Sequence, residues 1–389
     1  MKVRLIEDLA EIEAATWDTL AGPDDPFSTH AFLQTLEASG SVGPGTGWFP
    51  VHVTVWDEGP DGEDALIGAL PLYAKEHSYG EYIFDWAWAD AAMRVGTRYY
   101  PKLVAMAPFT PATGSRLLVH PAEEKRRADV IGAMLVGAFE VAQQIEASSM
   151  HFLYVTKEER DALLAHPDLM PRLSMQYHWQ NREGAPYESF DDYLGAFRSS
   201  ERKKVRKERR RVGEAGIEVR LLEGAEITPG IWRFLDRVYR NTASRKWGSP
   251  YLTREFFELG PERLKDVALA AIAFRDGEPV AGTLNFERGK HVYGRYWGCL
   301  EAHDMLHFEL CYYQLIERAI ARGATRFEAG AQGQHKIKRG LLPARIHSVH
   351  WVRHPVLRDA VQDFLPREAR AMEMEMEELA KSGPFKREG

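Results

Sequence analysis

The sequence predicts a mixed α/β (α+β) protein made of two tandem modules related by internal duplication. Three observations carry that prediction. The 389 residues are 44% apolar, enough for two packed cores. The blocks "GALPLYAKEHSYGEY" (68–82) and "GTLNFERGKHVYGRY" (282–296) match at one constant offset, pairing Gly68, Leu70, His77, Tyr79, Gly80 and Tyr82 with Gly282, Leu284, His291, Tyr293, Gly294 and Tyr296. Each block also falls within the same order of hairpin, helix and strand.

In the first half, "WFPVHVTVWDEG" (48–59) alternates as a strand and ends in turn chemistry ahead of the repeated block, a hairpin pattern. The helical "ADVIGAMLVGAFEVAQQIEA" (128–147) then leads to the strand-like "MHFLYV" (150–155). Between them lies "RYYPKLVAMAPFTPATGSRLLVHP", a Pro-rich, aromatic insertion too long for an ordinary connection, and so either a functional loop or a cover over the partner domain. The domains expected are 1–190, with this insertion around 98–122, and 191–389.

The second half opens on a basic stretch, "RSSERKKVRKERRR" (198–211), with nine basic and two acidic residues. At helical spacing Leu194, Phe197, Val205 and Val212 share one stripe with Glu201 and Glu208. Arg198, Arg202, Arg206, Arg209 and Arg210 lie on a neighbouring face; Lys204, Lys207 and Arg211 fill another. One seam anchors the helix and the rest projects charge. Two carboxylates cannot neutralise nine cations, so an anionic partner is expected: a tRNA, a nucleotide tail or a polyphosphate lipid. Arg198, Arg202, Lys203, Arg206, Arg209 and Arg210 are the candidate phosphate ligands.

Further on, "ALAAIAFRDGEPV" (268–280) and the second repeat form another hairpin. Within it "HVYGRYW" places His291, Tyr293, Arg295 and Trp297 on one strand face, too polar for a plain core. Gly294 suggests a bulge or the close approach of a ligand. The helix "LHFELCYYQLIERAIARG" (306–323) is apolar on two sides, with Glu309 one turn before Tyr313 on an apolar face. A carboxylate desolvated there would have a raised pKa and could serve as a general base. The strand "RFEAG" then releases "AGAQGQHKIKRG" (329–340). Ligands bind beyond the carboxyl ends of strands in open α/β sheets. Gly330 and Gly333 permit close backbone approach there, and Gln332, Gln334, His335, Lys336, Lys338 and Arg339 can bond a polar, partly anionic ligand. The pattern is not a P-loop.

Composition excludes several classes. Net charge is −7, from 50 basic and 57 acidic residues, so positive charge is local. No run approaches the roughly 18 apolar residues of a membrane span, and the N-terminus lacks the apolar core of a signal peptide. Cys299 and Cys311 cannot form a zinc site by themselves, and no metal-ligand spacing occurs. A cytoplasmic, reducing setting is expected.

"RKKVRKERRRVGEAGIEV", "YGRYWGC", "HFELCYYQLIERAIARG" and "FEAGAQGQHKIKRGLLP" together resemble the Fem-like (FemAB-like) peptidoglycan biosynthesis and recognition proteins, within the GNAT acyl-CoA N-acyltransferase superfamily. The resemblance covers nearly the whole chain. It implies two tandem GNAT-like domains and transfer of an activated acyl or aminoacyl group, from aminoacyl-tRNA or acyl-CoA, to an amine on a small molecule or peptide. No firm cofactor is implied beyond that donor. Where CoA-using relatives carry an RxxGxG/A-like loop this chain reads "GCLEAHDMLH", and Gln334 stands where the family usually has Glu. In that setting Glu309 or His335 would be the base and Tyr293 the donor to the leaving group, while Arg295, Trp297 and the loop side chains would bind substrate. A CoA-dependent N-acyltransferase and a non-catalytic binder of a cell-wall precursor or RNA are the alternatives.

Overall fold

The computed structural model describes residues 1–59, 62–245, 248–330 and 333–386. Two compact units emerge, Met1–Ser174 with Arg345–Glu373 and Met175–Ala344 with Met374–Gly389. The single cut expected at 190/191 is thus replaced by a chain that returns to its first unit near the end.

The first unit contains β1 (Lys2–Ile6), α1 (Ala14–Asp18), α2 (His30–Ala38), β2 (Trp48–Pro50), β3 (His52–Glu58), β4 (Asp64–Leu70) and β5 (Tyr73–Lys75). It continues with α3 (Trp86–Arg94), β6 (Lys102–Ala105), β7 (Leu118–Val119), α4 (Arg127–Gln144), β8 (Ser149–Val155) and α5 (Lys157–Leu163). One antiparallel sheet runs β1-β3-β4-β7. In a second group β2, β5 and β6 pair antiparallel, and β6 runs parallel to β8. The core gathers Val53, Leu70, Met134 and Phe152 where α4 packs on the strands. Gly68 has no side chain because a Cβ there would lie 2.5 Å from Val130 and 2.6 Å from Met134 of α4. The insertion is only partly loop, with 106–117 in neither helix nor strand. It supplies β6 and β7 and buries Tyr99, Leu103, Met106 and Phe109.

Starting within β9 (Met170–Gln180), the second unit holds α6 (Phe190–Gly195), α7 (Ser199–Glu214), β10 (Glu218–Glu223), α8 (Pro229–Arg245) and α9 (Arg254–Arg263). Next come β11 (Ala268–Arg275), β12 (Glu278–Arg288), β13 (His291–Cys299), α10 (Leu306–Phe308), α11 (Gln314–Ala321) and β14 (Arg326–Glu328). Strands β10 to β13 pair antiparallel in order, β13 runs parallel to β14, and β14 pairs antiparallel with β9. Asp276 and Gly277, both at positive φ, make the two-residue turn of the β11–β12 hairpin. Two last elements complete the chain, β15 (Leu342–Val352), whose residues 347–352 pair with β8, and α12 (Pro355–Lys381). Among the described residues no helix is long and apolar enough to cross a membrane.

Each unit therefore has an antiparallel hairpin, β3–β4 or β11–β12, and a helical crossover between parallel strands, α4 from β6 to β8 or α10–α11 from β13 to β14. This is the expected duplication. The constant-offset match is only partly structural, however. Gly68 and Gly282 both lie in the second strand of their hairpin. Beyond Leu70 the first unit leaves the hairpin, so His77, Tyr79, Gly80 and Tyr82 lie outside any strand, whereas His291, Tyr293, Gly294 and Tyr296 belong to β13. The four later matches are a likeness of composition.

Candidate functional site

The site builds around the carboxyl end of β14 in the second unit. On β13 the register shifts between Leu284↔Tyr296 and Asn285↔Gly294, which leaves Arg295 as the extra, bulged residue. The irregularity expected at Gly294 is thus one residue further on, and it breaks the alternation that placed four side chains on one face. Tyr293 is fully buried, its Oη 3.4 Å from His291 Nδ1. Arg295 lies over the Tyr293 ring and donates to the Gly294 carbonyl at 2.8 Å. Trp297 meets the His307 ring edge-on at 5.1 Å.

Between α10 and α11, Glu309–Tyr313 form a π turn, in which the Gln314 N–H reaches back to the Glu309 carbonyl. The extra residue in this turn lets two adjacent tyrosines serve different partners. Tyr312 Oη lies 2.9 Å from His335 Nε2. Tyr313 donates a short hydrogen bond to Glu208, which also accepts from Arg339 at 2.8 Å. π turns recur at functional sites.

Glu309 is buried, as its apolar face implied, but it is not a solitary base. Its oxygens accept from Arg209 Nε at 3.1 Å and Nη2 at 2.9 Å, and from Gln314 at 2.8 Å. Arg209 also bonds Glu317 and lies over the Phe190 ring. The stripe expected on α7 is the buried one: Val205, Glu208 and Val212. Of the candidate phosphate ligands, Arg209 faces Glu309, Arg206 pairs with Asp191, Arg210 with Glu214, and Arg198 donates to the Gly383 carbonyl. Arg202 is half-buried and Lys203 exposed.

The loop after β14 turns sharply at Gly330 (φ 80°), Gly333 (φ 110°) and Gly340 (φ 80°). At Gly333 a Cβ would sit 2.4 Å from the His335 ring. Only glycine allows that imidazole to fold back. Lys336, taken from sequence as a substrate ligand, is 3% exposed and donates to the Gly330 carbonyl at 2.9 Å. Burial lowers its pKa to about 7, the Arg295 cation adding to the effect while Cys311 opposes it. Partial burial and the neighbouring Lys336 and Arg339 charges hold His335 below the ordinary imidazole value. The rings of His307, Phe308, Tyr312 and His335 lie within about 6.2 Å of one another. Arg339 turns inward, its guanidinium 3.4 Å from the Phe308 ring centroid, and Lys338 donates to the Ser382 carbonyl. Both are occupied by their own unit. Gln334 is exposed, and Gln332 lies outside the described residues.

Two features went unread in the sequence. Glu328, at the end of β14, is fully buried beside His178 of β9 (3.7 Å) and Arg326 (3.1 Å), and burial drops the His178 pKa to about 4. The pairing of β9 with β14 brings them together across about 150 residues, so only an Arg-x-Glu strand pattern was available locally. In the first unit Lys102 donates to Glu81 (2.8 Å), Asp85 (2.5 Å) and Ser78 (2.9 Å), all buried. Lys75 sits over the Trp48 ring, its pKa pulled to about 6 by burial against the opposing Glu81 charge. His151 and His350 meet through Nδ1 atoms 2.7 Å apart, so one ring must donate and the other accept.

The FemAB-like family model, described as peptidoglycan biosynthesis/recognition, matches residues 8–387. The structure of FemX superposes with a TM-score of 0.54 at 14% identity, covering 93% of this chain and 100% of that one. A conserved protein of unknown function from Bacteroides thetaiotaomicron gives 0.53 at 12% identity, covering 90% and 100%. The C-terminal domain of a putative lysylphosphatidylglycerol synthetase from Agrobacterium fabrum gives 0.52 at 11%, covering 92% and 96%. No curated protein matches. At these identities the likeness is one of fold alone.

Proposed function

This chain belongs to the FemAB-like family of peptidoglycan biosynthesis and recognition, and from that premise we propose that it is an N-acyltransferase, joining an activated acyl or aminoacyl group to an amine. The observation that carries the reading is Lys336, a buried amine poised near pH 7 just beyond a strand end, whose charge reaches His335 of the hydrogen-bonded Tyr312–His335 pair. The acceptor nitrogen attacks the donor carbonyl. It then sheds its proton to neutral Lys336, and the ammonium so formed offsets the tetrahedral oxyanion. As the intermediate collapses, the carbon–donor bond breaks and the Tyr312–His335 pair passes a proton to the departing oxygen or sulfur. Trp297, His307 and Phe308 give the acyl group an aromatic wall. Donor phosphates meet the outward face of α7, where the exposed Lys203, Lys204 and Lys207 lie clear of Arg209. Glu309 positions Arg209 in this scheme instead of taking the proton.

Single-turnover transfer from aminoacyl-tRNA and from acyl-CoA tests the proposal. In the active case kcat/KM rises as pH passes about 7, because the amine must first lose its proton. Lys336→Met removes that rise and lowers turnover by roughly 10²- to 10⁴-fold with little change in donor affinity. Micromolar coenzyme A binding in calorimetry selects the CoA donor. A silent protein with both donors, or a Lys336→Met variant with wild-type turnover and pH profile, sinks the catalytic reading and leaves the binding protein.

A further inference from the structure

The first unit contains a cleft of about 470 Å³ that plays no part in the chemistry above. Lys157 and Arg160 come from α5, Pro171, Arg172 and Leu173 from β9, Arg345 and His347 from β15, and Glu373 from α12. Four cations and one carboxylate therefore line it, in a chain whose net charge is −7. They converge from segments far apart in sequence, so no local charge run accounts for them.

Their pairing leaves room for a ligand. Arg172 is held firmly, bidentate to Glu368 at 2.8 and 2.7 Å, and acts as a fixed post. Arg160 is turned to Asp161 at the rim, with Nη1 3.5 Å from His347 Nδ1. The Arg345–Glu373 bridge is long, at 3.2 Å, and exposed, so it opens at little cost. Lys157 is exposed and hydrogen-bonds to none of the other lining residues. Burial and the Arg160 charge keep His347 below the ordinary imidazole value, so at neutral pH it adds a neutral ring. Pro171 and Leu173 supply the apolar part of the wall.

We propose that this cleft binds a phosphorylated small molecule of roughly nucleotide size, with Lys157, Arg160 and Arg345 gripping the phosphates. Guanidinium forks match phosphate oxygens two at a time, and several cations around one point favour a multiply charged group over a single carboxylate. The cavity is far larger than a bare phosphate and falls in the range of small-molecule sites. An organic portion would rest on Pro171 and Leu173.

Calorimetry on the full chain with inorganic pyrophosphate, adenosine 5′-diphosphate, adenosine and citrate tests this. Saturable binding of the two phosphate probes is expected, with adenosine silent and citrate clearly weaker. Lys157→Glu with Arg345→Glu, both exposed and so tolerable to the fold, should weaken pyrophosphate at least 10-fold, and Lys157→Gln with Arg345→Gln by less. Absence of saturable binding, equal affinity for citrate, or binding weakened only by Lys203→Glu with Lys207→Glu on α7 overturns the assignment. These readouts use no acyl transfer, so they stand or fall apart from the catalytic proposal.

Discussion

Glu309 and Lys336 are buried to nearly the same degree, 4% and 3% exposed, yet their neighbours give them opposite duties. The Glu309 carboxylate is saturated by donors from Arg209 and Gln314, while the Lys336 amine has one carbonyl partner and the Arg295 cation nearby. Removing charge from Glu309 would leave a half-buried guanidinium short of its main partner. Glu309→Gln should therefore cost about 1 to 3 kcal/mol of stability, seen as a lower Tm by scanning calorimetry, with turnover per folded molecule within a few-fold of wild type. A loss beyond 100-fold at unchanged Tm would restore Glu309 as the base. The sequence placed Glu309 correctly on a buried face. It could not show Arg209, because a salt bridge spanning 100 residues has no local signature.

At the scale of elements, α7 divides its charge between two tasks. Its inner cations, Arg209 above all, hold the unit together, and its outer ones are free of that duty. Lys203→Glu, Lys204→Glu and Lys207→Glu should then weaken tRNA binding measured by fluorescence anisotropy. The slope of log affinity against log salt should flatten by about 0.7 to 0.9 per lost phosphate contact. An unchanged slope would make α7 an ordinary solvated face. Helix and strand identities at 128–147, 150–155, 199–214, 291–299 and 326–328 were legible because burial imposes their periodicity over several turns or pleats. The irregular points were less so. A π turn at Glu309–Tyr313 and a bulge at Arg295 each insert one residue without altering the composition around them, and both lie at the site. The same holds for the 98–121 stretch, whose prolines and glycine read as loop although β6 lies within it, paired on both edges.

For the whole molecule, the repeat proved sound for the wrong reason in part. Duplication is real in the order of hairpin, crossover helix and parallel strand, but four of the six matched positions have unlike settings. The division into units was legible only as a number of cores, since the return of 345–373 to the first unit is set by pairing between β15 and β8, residues nearly 200 positions apart.

That return has a consequence for biogenesis. β8 is buried along its whole length and lies between β6 and β15. On the ribosome its last residue, Val155, precedes the start of β15 at Leu342 by roughly 190 residues, about 10 to 40 s of synthesis at the usual 5 to 20 residues per second. Throughout that interval an apolar strand keeps one edge open to other chains. Ribosome-arrested chains halted before Leu342 should be cleaved within 1–174 by dilute protease, and chains extended past Lys386 should resist it. Equal resistance in both would mean that the first unit closes without β15. The protein should otherwise depend on a holdase during translation, and no contiguous fragment from its first half should express as a stable module.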